Sequence, residues 1–203
     1  MSAAQVSDGL AEFMLLPEVD PLLHWLAVTS LALLFAGAAY GKLRDLTGFR
    51  YVLDAYDLLP SSITGSVAVG LALTELALTI TLCVPATFFG SASSIAAWLA
   101  IGLLALYTAA ICVNLLRGRV EMNCGCMGAG SNTGVLSRWL VVRNLLVMSL
   151  AALILQPATL RSLVWLDGVT LLFGLAALAL VYRLGDQLIA NSTFQNRWQN
   201  DHD

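Results

Sequence analysis

Five blocks of almost uninterrupted apolar residues, each close to 20 residues long, run through this 203-residue chain. Wound as an α-helix at 1.5 Å per residue, a block of that length crosses the ~30 Å of hydrocarbon in a bilayer. Such a segment satisfies its own backbone polar groups, as lipid requires. Composition excludes the soluble alternative: 59% of residues are hydrophobic and only 11% charged, with a mean hydropathy of +0.81. A soluble domain carries about a quarter of its residues as charges. The expected fold is an all-α, polytopic membrane helix bundle, with a four-helix core, a fifth transmembrane helix at the carboxyl end and a short interfacial helix.

Residues 1–21 read as an acidic leader. They hold no Lys or Arg and are interrupted by Asp8, Glu12, Glu18 and Asp20, unlike a cleavable secretory signal. The bundle domain is expected over 22–184 and a polar tail over 185–203. The first span is expected from Leu22 to Tyr40, ending at Gly41-Lys42, where the lysine would reach headgroups. In 42–60, charges alternate with Leu43, Leu46, Phe49, Val52, Leu53 and Tyr56 at helical spacing, the pattern of an amphipathic interfacial helix. Pro60 and Ser61-Ser62 close it and open the second span, 61–84. The third span is expected over 92–116, the fourth over 139–155 and the fifth over 163–182. Between the third and fourth lies a glycine-rich hydrophilic loop, 117–137. No internal repeat is evident.

With five spans, the leader and the connections 85–91 and 156–162 share one side of the membrane, which holds only Arg161 of the ten Lys and Arg residues. Lys42, Arg44, Arg50, Arg117, Arg119, Arg138, Arg143, Arg183 and Arg197 fall on the other. The positive-inside rule puts that side in the cytoplasm and the amino terminus outside. A formal net charge of −3 gives no basic face for nucleic acid.

The most chemically pointed feature is Cys124-Gly125-Cys126, within the hydrophilic loop. Two cysteines one residue apart close a disulfide only through a sharp turn, for which Gly125 supplies the backbone freedom. So small a ring is strained, and strained, exposed disulfides are readily reduced and exchanged. Arg117, Arg119 and Arg138 nearby favour the thiolate. Three readings stand side by side: a thiol-exchange pair, a metal site, and small residues in a glycine turn or structural clip. The metal reading lacks ligands, since zinc or copper wants three or four and both histidines, His24 and His202, lie outside the loop.

Glu75 falls near the middle of its span, where a carboxylate is costly and is normally paired, protonated or functional. It is a candidate proton-handling group beside thiol exchange. The structural alternative is an interhelical hydrogen bond with Thr74, Asn114 or Arg143. Arg143, one turn after Trp139, is also placed to snorkel, and Asn114 to bond a neighbouring helix. Trp25, Trp139, Trp165 and Trp198 fit interfacial anchors, with Trp98 deeper. No quinone signature is present, so a quinone cofactor stays open.

Several of these residues recur in a fixed order: Gly41-Lys42, Tyr56-Asp57-Leu58-Leu59-Pro60, Glu75, Asn114-Leu115 with Arg117-Gly118-Arg119, Cys124-Gly125-Cys126-Met127-Gly128, and Arg138-Trp139 through Arg143-Asn144. Over about residues 25–155 the chain resembles the methylamine utilisation protein MauE family, related to DoxX-like four-helix membrane proteins. Families of this kind commonly carry Phe where this chain has Met127. The resemblance implies a membrane factor for maturing methylamine dehydrogenase, whose periplasmic small subunit is a disulfide-rich client. It also implies a thioredoxin-like partner, MauD.

A periplasmic client and a cytoplasmic loop stand on opposite sides of the membrane. Either a relay through Cys83 and Cys112 carries reducing equivalents across, or the topology is inverted. The expected function is thiol–disulfide exchange by Cys124 and Cys126 with a thioredoxin-like partner, supported by Gly125, Glu75, Asn114 and Arg143. The rivals are a non-catalytic subunit that docks a redox partner and a carrier of small solutes or metals.

Overall fold

The computed structural model describes residues 19–83, 92–118, 138–157, 159 and 161–200. Among the described residues six helices follow in order: α1 (Pro21–Arg44), α2 (Leu46–Tyr56), α3 (Ser61–Cys83), α4 (Ala92–Leu116), α5 (Arg138–Ile154) and α6 (Trp165–Asn200). Four are long and apolar enough to cross a membrane: α1, α3, α4 from Ser94, and α6 as far as Gly185. The apolar part of α5, Trp139–Ile154, is shorter. No strand element occurs among the described residues, and the chain is a multi-pass membrane protein.

Helices α1, α3, α4 and α5 pack in a ring in that order, closing from α5 back to α1. Their shared core is built from small residues and a few large ones. Ala27, Ala96, Ala97, Ala100 and Ala151 are fully buried, and Leu31 and Phe35 fill the space between them. Lipid tails are as apolar as leucine, so helices associate in a bilayer largely by close packing, and alanine lets backbones approach. The fifth span, α6, lies outside this ring against α1, where Gly174 leaves room for Leu26.

Sequence pattern and structure part at the end of the first span. Rather than stopping at Gly41-Lys42, α1 continues to Arg44, and the chain leaves helical geometry only at Asp45 (φ −139°, ψ 69°). The Asp45 carboxylate then accepts a hydrogen bond from Gly48 N at 2.8 Å and caps α2. The amphipathic helix is thus shorter than 42–60. It lies on α3 with Phe49 and Tyr56 buried. Asp57 ends it in the left-handed region, φ 51°. At the carboxyl end the helix does not stop with the apolar run. α6 continues through the polar segment to Asn200, about 54 Å for its 36 residues.

One end of the bundle is tied by Val19, Asp20 and the connection after α5. Val19 N donates to Pro157 O and Thr159 N to Val19 O, both at 3.0 Å. Arg161 reaches Asp20 at 3.2 Å and Asp167 at 3.0 Å. These hydrogen bonds, the one to Asp167 foremost, hold the Arg161 guanidinium above its ordinary range. The start of α1, the end of α5 and the start of α6 therefore share one end, as a five-span chain requires. Opposite lie the end of α1, all of α2, the start of α3, the end of α4 and the start of α5.

Candidate functional site

Beneath that second end, α1, α3 and α4 meet at a charged cluster in the apolar interior. Lys42 Nζ lies 2.5 Å from Glu75 Oε1, and the two side chains are 0% and 1% exposed. Tyr107 of α4 donates its hydroxyl to the same oxygen at 2.7 Å. The ammonium also sits over two rings, 5.1 Å from the centroid of Phe49 and 5.2 Å from that of Tyr107. An ammonium in an apolar interior is tolerable only with such compensation: a carboxylate at contact and the electron-rich faces of aromatic rings.

The expectation that Lys42 reaches headgroups is therefore wrong. Because α1 stays helical past Gly41, Lys42 keeps its place on the face turned to α3, and Glu75 captures it. The partners expected for Glu75 are also corrected. Thr74 donates to the Gly70 carbonyl at 2.8 Å, Asn114 to the Ala110 carbonyl at 3.1 Å, and Arg143 to the Tyr182 hydroxyl at 3.1 Å. Asn114, fully buried, spends this amide bond within its own helix instead of bridging to another. The interhelical amide bond is made by Asn144, which donates to Thr108 at 3.2 Å and joins α5 to α4. Arg143 stands over the Tyr182 ring, 5.2 Å from its centroid, and joins α5 to α6.

Sequence reasoning missed Lys42 and Tyr107. The available signal was general: a mid-span carboxylate asks for a cation on a neighbouring span, and Lys42 lies two helices upstream. A cavity of about 20 Å³ adjoins the cluster, lined by Glu75, Tyr107, Arg143, Asn144 and Tyr182 among others. That is room for about one water. Polar side chains of all five spans thus come together below the second end of the bundle.

Cys124, Gly125 and Cys126 lie outside the described residues, within 119–137. The two stems of their segment are described. Leu116 ends α4 and Arg138 opens α5 at the end of the bundle where α2 lies. The first stem is fastened there: Arg117 donates to the Asp57 carbonyl at 3.1 Å, joining the end of α4 to the corner between α2 and α3. Below this corner, Tyr56, Ile111 and Leu140 form a second apolar cluster linking α2, α4 and α5.

The other two cysteines are free thiols at opposite ends. Cys83 is exposed at the last residue of α3. Cys112 is half-buried, 20 residues into α4 and so about 30 Å along the helix from its start. They are too far apart to exchange directly.

The fold and cluster define a class: a four-helix membrane bundle with an added fifth span, held by a buried ion pair and carrying a thiol-bearing connection at one end. The methylamine utilisation protein MauE family matches residues 20–157, and the chain belongs to it. Three relatives bear the name methylamine utilization protein MauE. That from Paracoccus denitrificans is 35% identical over 167 residues, covering 81% of this chain and 86% of its own. That from Paracoccus versutus is 39% identical over 141 residues, 68% of this chain and 73% of its own. That from Methylophilus methylotrophus is 30% identical over 171 residues, 84% and 87%. No solved structure matches the chain. The family match takes in the Lys42–Glu75–Tyr107 cluster and the cysteine segment, and ends before α6.

Proposed function

We propose that this protein is a membrane thiol–disulfide factor serving methylamine utilisation, in which Cys124 and Cys126 exchange with a thioredoxin-like partner of the MauD kind. Its client is an exported, disulfide-rich protein, by family resemblance the small subunit of methylamine dehydrogenase. The observation that carries this reading is a Cys-Gly-Cys pair on a segment whose first stem, Arg117, is fastened to the Asp57 corner. A fastened stem suits a pair that must be presented to another protein, and a glycine between the two cysteines is the residue type that lets such a pair turn back on itself.

In the exchange, one loop thiolate attacks a disulfide of the partner, forming a mixed disulfide and releasing a partner thiolate. The second loop cysteine, deprotonated, then attacks the loop sulfur of that bond and expels the partner's remaining sulfur. Two electrons pass from loop to partner, leaving a Cys124–Cys126 disulfide and a reduced partner; the reverse sequence reduces the loop. Glu75, with Lys42 and Tyr107, holds three helices in register below the loop stems, and Arg143 holds the fifth. The protein belongs in the cytoplasmic membrane, with its amino terminus outside and the loop inside by the distribution of basic residues.

Single variants Cys124→Ser and Cys126→Ser, made with Cys83 and Cys112 replaced by Ala, test this reading. One of the two should accumulate a mixed disulfide with a thioredoxin-like protein that reductant releases. Absence of any such adduct, together with full growth on methylamine when both loop cysteines are Ser, would leave only a docking role.

A further inference from the structure

A cleft separates α6 from the four-helix ring. The fifth span touches the ring at two levels. Near one end, Gly174 lies against Leu26 of α1; near the other, Gly185 lies against the Trp139 ring and Tyr182 against Arg143 of α5. Between these contacts opens a space of about 260 Å³, walled by Leu31 and Leu34 of α1, Val147 and Leu150 of α5, and Leu175 and Leu178 of α6. Its lining is almost wholly apolar, and Leu33 and Leu178 on its walls are exposed, so the space opens on the lipid-facing surface of the bundle.

The cleft has one polar end. Exposed Arg183 lines it beside Tyr182, which receives the Arg143 hydrogen bond. Arg183 lies 18 residues beyond Trp165, the first residue of α6, so it stands about 27 Å along the helix, close to one hydrocarbon thickness. An arginine at that depth is level with headgroup phosphates. Trp139, packed on Gly185 in the same zone, is the kind of side chain that marks this boundary. An apolar slot with a guanidinium at headgroup height matches one class of molecule, an acyl chain bearing an anionic head. Basic pockets between membrane helices select such lipids.

We propose that the cleft between α1, α5 and α6 is a binding site for an anionic phospholipid, one acyl chain lying in the slot and the phosphate on Arg183. The lipid completes the packing of α6 on the bundle. This site is independent of the thiol chemistry.

The test uses the full chain reconstituted in phosphatidylcholine vesicles with trace spin-labelled phosphatidylglycerol or phosphatidylcholine, reading the motionally restricted fraction. The native protein should favour phosphatidylglycerol about fivefold, the effect of one basic residue near the surface. Arg183→Gln should lose that preference and Arg183→Lys should keep most of it. Leu178→Trp, which fills the slot, should reduce restriction of both lipids while helix content by circular dichroism stays unchanged. Equal restriction of the two lipids by the native protein, or an undiminished preference in Arg183→Gln, would overturn the proposal. So would displacement of bound phosphatidylglycerol by an equimolar lipid-soluble quinone, which would assign the slot to the quinone.

Discussion

Lys42 of α1 and Glu75 of α3 form an ion pair at 2.5 Å with both side chains withdrawn from the surface. They are 33 residues apart in sequence, and the pair fixes the register of two antiparallel spans. Tyr107 extends it to α4. Three of the four core helices thus converge on one carboxylate oxygen.

Removing one partner strands the other charge in an apolar interior. Lys42→Met or Glu75→Leu alone should each cost about 3–5 kcal/mol, whereas the double replacement should cost much less than their sum. Reversible unfolding of the protein in mixed micelles measures all three. Additive losses would show that the two residues act separately.

Tyr107→Phe removes the hydroxyl's hydrogen bond to the Glu75 carboxylate and keeps the ring against the Lys42 ammonium. The loss should be about 1.5–3 kcal/mol. Tyr107→Leu should cost more, because the cation–ring contact goes too. Equal losses from the two variants would remove the ring from the account.

Asp57 holds a left-handed backbone and offers its carbonyl to Arg117. Asp57→Gly leaves that backbone conformation free of steric cost. Asp57→Val should cost about 1–2 kcal/mol, since a β-branched residue resists that conformation. If the corner steadies the cysteine segment, the valine variant should also change the rate at which an added maleimide labels Cys124 and Cys126.

The spans were legible in the sequence because their length and apolarity are imposed by the bilayer. The four-helix core with an added fifth helix was what the family resemblance over residues 25–155 implied, since five similar blocks do not themselves say which four pack together. What the pattern gave less well is direction around each helix. Lys42 sits three residues beyond Ala39, at the edge of an apolar run, where a basic residue ordinarily snorkels. Whether it turns to headgroups or to Glu75 depends on α1 remaining helical as far as Arg44, which Gly41 disguises. The same uncertainty hid Tyr107, one aromatic among many apolar neighbours. Asn114 and Asn144 carry identical groups, yet only Asn144 bridges helices, because it faces Thr108 on α4. The helical continuation of α6 beyond Gly185 was hidden for another reason: its residues are polar, and hydropathy reports the membrane's edge and not the helix's end.

Gly174 is the close approach between α6 and α1, where an added Cβ would lie 3.1 Å from a Leu26 methyl carbon. Gly174→Ala should be accommodated by a small shift of the Leu26 tip, whereas Gly174→Leu should push α6 off the bundle. A cysteine pair at positions 26 and 174, in a background without other cysteines, should therefore cross-link readily. Failure to cross-link would contradict the packing of the fifth span.

The central claim concerns Cys124 and Cys126, and the mass of the alkylated protein tests it most directly. With Cys83 and Cys112 replaced by Ala, protein quenched from cells should divide into two populations. One should take up alkylating reagent on both loop thiols directly, the other only after reduction, and the ratio should follow the redox state of an added thioredoxin-like partner. A single population that never changes with the partner, whether permanently bridged or permanently reduced, would contradict the exchange mechanism.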